Sequence, residues 1–209
     1  RLAREPELAA SALMALGYRV CFARGDLERA AEHLTTALNL VPAPGSERAS
    51  MDTFLATILA YVGRLDEAEN ALGEAESIAR SIGDQRALAY ADWTWAVLAS
   101  LRGDRAVTIH RIRSAERPFG PWFAHPTGAE FLTDAALALG RIGDAELALE
   151  YAHRATEHAQ AVGYPEIALL ATGATQARFG DPEQAERDLV AYTASDQPSA
   201  RDDWQILLL

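Results

Sequence analysis

Lysine is absent from this 209-residue chain, so its 19 basic side chains are all arginines, set against 30 acids and a formal net charge of −11. An acidic balance of that size argues against nonspecific nucleic-acid binding, which needs clustered positive charge. A chain without lysine also has no glycine-rich phosphate loop ending in Gly-Lys-Ser/Thr. Cysteine occurs once, at Cys21, which excludes an intrachain disulfide framework and a multi-cysteine metal site. No run of about 18 apolar residues suggests a membrane span, and no signal-peptide pattern opens the chain. Valine and isoleucine total only 15 residues, too few to favour strands. A reducing cytoplasm is the expected compartment.

What is abundant is alanine, with 43 residues, followed by leucine. Both form helices readily. The 49% apolar and 23% charged fractions belong to a globular chain with material for a core, so the expected fold class is all-α.

One phrase recurs along the chain. A glycine is followed by Asp or a substitute, then by a helix with small or apolar residues at i, i+4 and i+7. It occurs as Gly25-Asp26 with Ala30, Leu34 and Ala37, and as Gly63-Arg64 with Ala68, Leu72 and Ala75. It returns as Gly103-Asp104 with Thr108, Ile112 and Ala115, as Gly143-Asp144 with Ala148, Ala152 and Ala155, and as Gly180-Asp181 with Ala185, Leu189 and Tyr192. Successive glycines stand 38, 40, 40 and 37 residues apart. Glycine adopts the left-handed conformation that ends a first helix. The aspartate accepts N–H bonds at the start of a second. In Asp181-Pro182-Glu183-Gln184, Pro182 takes the first helical position and Gln184 the place of a capping-box partner.

The spacing predicts first helices over Glu7–Arg24, Ala49–Val62, Arg86–Arg102, Gly128–Ile142 and Pro165–Phe179. Second helices are predicted over Leu27–Leu40, Leu65–Ser81, Arg105–Arg117, Ala145–Val162 and Pro182–Thr193. The units then span about residues 7–42, 49–83, 86–117, 128–163 and 165–194. A partial sixth unit over 199–209 has Trp204, Leu207 and Leu208 at helical spacing. Arg1 and the apolar Leu207-Leu208-Leu209 end read as cuts within a longer protein, and residues 1–209 as a single repeat domain.

The stretch from Gly25-Asp26 through Ala30, Leu34 and Ala37 to Pro42 resembles the second helix of a tetratricopeptide repeat. The longer period, His125-Pro126-Thr127-Gly128-Ala129-Glu130-Phe131, and Arg178-Phe179-Gly180-Asp181-Pro182 followed by Asp203-Trp204-Gln205, are similar to the repeats of large ATP-dependent LuxR-type bacterial transcription regulators, the MalT-type group. The resemblance implies an α-α superhelix of about five TPR-like helix-turn-helix pairs plus the start of a sixth. It implies a non-catalytic sensor or coupling region, with ATPase and DNA-reading domains elsewhere. Expected partners are a protein or a small-molecule inducer in the concave groove. DNA would be contacted only through a domain absent from this chain, and no membrane partner or cofactor is expected. Self-association is compatible. The alternative is a general scaffold that binds an extended peptide in the same groove.

Groove positions of the family, carried onto these first helices, select Arg19 and Phe22, then Thr57 and Tyr61, then Tyr90, Trp93 and Val97. Further on they select Glu130, Thr133, Leu137 and Arg141, and finally Arg178. The candidate groove set is Arg19, Tyr61, Tyr90, Trp93, Glu130, Thr133, Arg141 and Arg178. Aromatic platforms, arginines for carboxylates and one acid suit a peptide or a polar-aromatic ligand. Taken singly, each aromatic reads more readily as ordinary inter-helix core. The first unit carries one extra residue in its first helix, which bears on the register of Arg19 and Phe22. His153 and His158 stand five apart, off the i, i+4 spacing of a metal pair. His33 and His110 have no partner at such spacing, and His125 reads as a loop anchor. Cys21 reads as a buried small hydrophobe. No catalytic or metal residues are expected.

Overall fold

The computed structural model describes residues 6–41, 43–119 and 125–194. Every regular element among them is helical. The ten α-helices are α1 (Pro6–Ala15), α2 (Leu27–Leu40), α3 (Ser46–Tyr61), α4 (Leu65–Ile82), α5 (Gln85–Leu101), α6 (Arg105–Phe119), α7 (Pro126–Arg141), α8 (Ala145–Ala161), α9 (Glu166–Phe179) and α10 (Pro182–Thr193). The partial sixth unit expected over 199–209 lies outside the described residues, as does Pro42. Two compact units divide the chain, residues 1–98 and 99–209.

The repeated phrase folds by local chemistry. At Gly143 φ is 75°, and the Asp144 N–H reaches back to the Leu139 carbonyl at 3.0 Å, the reverse bond that closes a helix with a left-handed residue. The same conformation recurs at Gly25, Gly63 and Gly103. The following aspartate then caps the next helix: Asp104 Oδ1 accepts from the Val107 N–H at 3.0 Å and Asp144 Oδ1 from the Leu147 N–H at 3.4 Å. Asp26 makes no such side-chain cap.

The last phrase departs from the expectation. Gly180 has φ −128°, outside the left-handed region. Asp181 still caps α10 through the Glu183 N–H at 2.9 Å. Gln184 does not close a capping box: its amide donates to Asp188 Oδ1 at 2.7 Å. The Asp181 N–H is satisfied instead by Gln176 Oε1 at 2.9 Å, from the end of α9.

In the first unit the i, i+4, i+7 stripes are core. Ala30, Leu34 and Ala37 of α2 and Ala68 and Leu72 of α4 are fully buried. Burying a leucine of this kind contributes about 1.5–3 kcal/mol, while alanine lets helix axes approach. One cluster joins three helices: Ala10, Leu13 and Met14 of α1, Ala37 and Leu38 of α2, and Met51 and Leu55 of α3. Arg48 Nη1 donates to the Leu38 and Val41 carbonyls at 3.3 and 3.0 Å, satisfying the end of α2.

The predicted first helix Glu7–Arg24 forms as three segments. After α1 the chain makes a π-helical turn, Leu16–Cys21, and a 3-10 turn, Phe22–Arg24. A π turn absorbs an extra residue without ending the helix. Gly17 within it lets the turn sit against α2, since a Cβ there would lie 3.0 Å from the Ala30 carbonyl and 3.3 Å from Leu34 Cγ. Cys21 is buried, as expected.

In the second unit α7 packs against α6, α8 and α9. From Gly128 to Gly140 every α7 residue except Glu130 is buried. The stripes Thr108, Ile112 and Ala115 of α6 and Ala148, Ala152 and Ala155 of α8 are buried, as are Ala185 and Tyr192 of α10, while Leu189 is half-buried. At Gly173 a Cβ would lie 2.7 Å from Leu189 Cγ, so α9 and α10 meet closely there. His158 Nε2 lies 3.2 Å from the His125 carbonyl, tying α8 to the entry of α7.

Candidate functional site

In the first unit an aromatic row crosses the first-helix elements. The π turn shifts the side chains that follow it relative to a plain α-helical count, and Tyr18 comes to face α3. Its ring stacks on Phe54, centroids 4.1 Å apart and planes at 28°. Phe22, one turn on, lies 5.8 Å from the Tyr61 ring. Thr57 and Thr94 bring their hydroxyls to 3.2 Å, linking α3 to α5. On α5 Tyr90 and Trp93 stack at 5.8 Å and 19°, and the Arg86 guanidinium carbon lies 5.7 Å from the Tyr90 centroid. Each such aromatic pair contributes about 0.5–1.5 kcal/mol beyond its burial.

Depth separates the members of this row. Tyr18, Phe54, Tyr90 and Trp93 are half-buried and keep accessible ring surface. Tyr61 is 5% exposed, which corrects its assignment as a groove residue: with Phe22 and Val97 it belongs to the core. Arg19 falls within the π turn, and its side chain lies outside the described residues. Tyr90 and Trp93 keep the accessible surface that a groove position needs.

In the second unit the selected residues differ in depth. Thr133 is 6% exposed and its hydroxyl donates to the Ile167 carbonyl at 3.2 Å. This corrects its assignment too: it ties α7 to α9. Leu137 is likewise buried. Arg141 is half-buried, with Nη1 3.3 Å from Ser100 Oγ. Glu130 is half-buried on α7, but three helical turns, roughly 16 Å of rise, separate it from Arg141. Arg178 is exposed, its guanidinium 5.3 Å from the Phe179 ring.

Two ring positions escaped the sequence reading, Tyr18 and Phe54. Phe54 precedes Thr57 by three residues and so shares its helical face, a signal that was legible. Tyr18 was not, because counting back from Gly25 assumes α-helical rotation through the π turn.

A separate polar group links α6 and α8. Tyr151 donates its hydroxyl to Glu116 Oε2 at 2.9 Å, and Arg154 Nη2 meets Glu116 Oε1 at 2.5 Å. The Arg154 guanidinium also lies 4.5 Å from the Tyr151 ring. Burial, helped by the Glu116 charge, pushes the Tyr151 phenol up to about 12. It therefore keeps its proton at neutral pH and acts as a donor. The first-unit row offers recognition chemistry: aromatic surface, hydroxyls and the guanidinium of Arg86. No family model matches the sequence, and no curated protein matches it.

Proposed function

We propose that this chain is a tetratricopeptide-like α-α superhelix whose first-helix face binds a ligand or partner, and that it serves as the sensor or coupling region of a LuxR/MalT-type transcription regulator. The observation that carries this reading is the half-buried aromatic row Tyr18, Phe54, Tyr90 and Trp93 with Arg86 beside it, set on helix pairs that repeat through a left-handed glycine. Accessible rings held by stacking, Tyr18 on Phe54 and Tyr90 on Trp93, are rigid anchors and lose little entropy when a partner covers them. A ligand favouring one arrangement of the pairs shifts the balance between resting and assembled forms of the whole protein by its differential affinity. A cytoplasmic setting fits this role.

Two measurements test it. The coding sequence on either side is read first: an ATP-binding loop upstream and a helix-turn-helix downstream support the regulator, and the lack of both sinks it. Trp93→Ala and Tyr18→Ala are then compared with the parent for retention of partners. Unchanged retention by both variants removes the aromatic row from the site. Should binding depend on the row while the flanking domains are missing, the scaffold reading replaces the regulator.

A further inference from the structure

A second surface lies among the second helices of the first unit. A groove of about 810 Å³ runs between α2 and α4, floored by Leu55 and Leu59 of α3. Small residues, Ala31 and Ala71, flank the floor, and the rim carries Glu28, Glu32 and Glu67. Among the described residues Arg64 is the one cation lining it, and that charge is already engaged: its Nε and Nη2 meet the two Glu67 oxygens at 2.7 and 2.6 Å, with Glu28 at 3.9 Å. Glu32 makes no ion pair among the described residues.

The second unit shows what such a space accepts. Between α6 and α8, over Leu139 of α7, the gap is about 230 Å³. The Arg154 guanidinium lines it, held by Glu116 and by the Tyr151 ring. There an arginine of the protein's own links two second helices. In the α2/α4 groove Arg64 reaches only the Glu28 and Glu67 end, and Glu32, one turn on from Glu28, stands over the apolar floor.

We propose that the α2/α4 groove docks a helix of a basic partner protein, with arginines meeting Glu28 and Glu32 and small apolar residues resting on Leu55 and Leu59. Two helices floored by a third leave a channel whose shape suits another helix. From Glu28 to Thr36 the wall rises roughly 12 Å, about two turns. A second copy of this chain is disfavoured because both copies carry a net charge of −11 and repel. The surface is independent of the aromatic row.

The test uses the full 209-residue chain and a labelled alanine-leucine helical peptide of about 14 residues, with arginines at i, i+4 on one face. A control peptide carries glutamates at those positions. Fluorescence anisotropy is expected to show saturable binding of the arginine peptide only. Glu28→Arg with Glu32→Arg, both at exposed sites, should weaken it by roughly tenfold or more and should confer binding of the glutamate peptide. Trp93→Ala should leave both results unchanged. The proposal is overturned if the arginine peptide fails to saturate, if the double variant binds it as the parent does, or if the two peptides bind the parent equally.

Discussion

Arg48 holds Asp52 across one turn of α3, Nε to Oδ2 at 3.5 Å, while its Nη1 caps the end of α2. Asp52 is 4% exposed, and the contact is too long to offset the loss of water around the carboxylate. Burial therefore pushes its carboxyl up from 3.8 to about 6, against the pull of Arg48 and with some help from the Glu74 charge.

The sign of the pH effect follows. A carboxyl whose folded value is raised binds more protons folded than unfolded between those two values. Its favourable contribution is complete below about 3.8 and disappears as pH rises through about 6. Asp52→Asn removes the titration. Relative to the parent it should gain about 2–3 kcal/mol between acidic and mildly alkaline pH, at roughly 1.4 kcal/mol per pKa unit. Urea unfolding of both proteins across this range is the check. Parallel profiles would show that Asp52 titrates normally.

Two helical glycines should respond oppositely to alanine. A Cβ at Gly73 of α4 meets nothing within 4 Å, so Gly73→Ala should stabilise by about 0.5–1 kcal/mol through helix propensity. At Gly173 the same Cβ would sit 2.7 and 2.8 Å from Leu189 Cγ and Cδ2. That crowding should cost about 1–3 kcal/mol. Thermal melts followed by circular dichroism distinguish them, and a shift of the same sign in both would contradict the close α9–α10 approach.

Asp144 serves two partners, capping α8 through Leu147 and pairing with Arg105 at 2.6 Å. Arg105 is largely exposed, so the ion pair is worth less than about 1 kcal/mol, and a cap is worth about 1. Asp144→Ala should therefore cost about 1–2 kcal/mol. Asp144→Asn and Arg105→Ala should each cost less, because both keep a capping oxygen. Chemical denaturation of the three variants ranks them. An asparagine as damaging as the alanine would assign the effect to charge.

The limits of helices were legible where the chemistry is local. Leu27–Leu40 and Pro182–Thr193 form with the bounds expected from the glycine-aspartate phrase, and the stripe of Ala30, Leu34 and Ala37 is buried as the period requires. What escaped depends on distant atoms or altered helical rotation. Gln176 takes the Asp181 N–H and leaves Gln184 to Asp188, a choice made by the end of α9. The π turn at Leu16–Cys21 rotates Tyr18 toward Phe54, which no count at α-helical pitch anticipates. Thr133 is buried because α7 packs against three neighbours, a fact of assembly rather than of local pattern.

Tyr61 and Trp93 both came from one groove pattern, yet the structure gives them different duties. Tyr61 is buried and packs against Phe22, so Tyr61→Ala should open a cavity and cost about 3–5 kcal/mol. Trp93 is half-buried and stacks on Tyr90. Its truncation forfeits less burial and the stacking increment, about 1–2 kcal/mol together. Equilibrium unfolding should place the two variants well apart, with the Trp93 protein still folded and usable for binding measurements. If Trp93→Ala proves as destabilising as Tyr61→Ala, its ring is core and the accessible face shrinks to Tyr18, Phe54 and Tyr90. If it is mild, a loss of partner binding in that variant reports on recognition and not on folding.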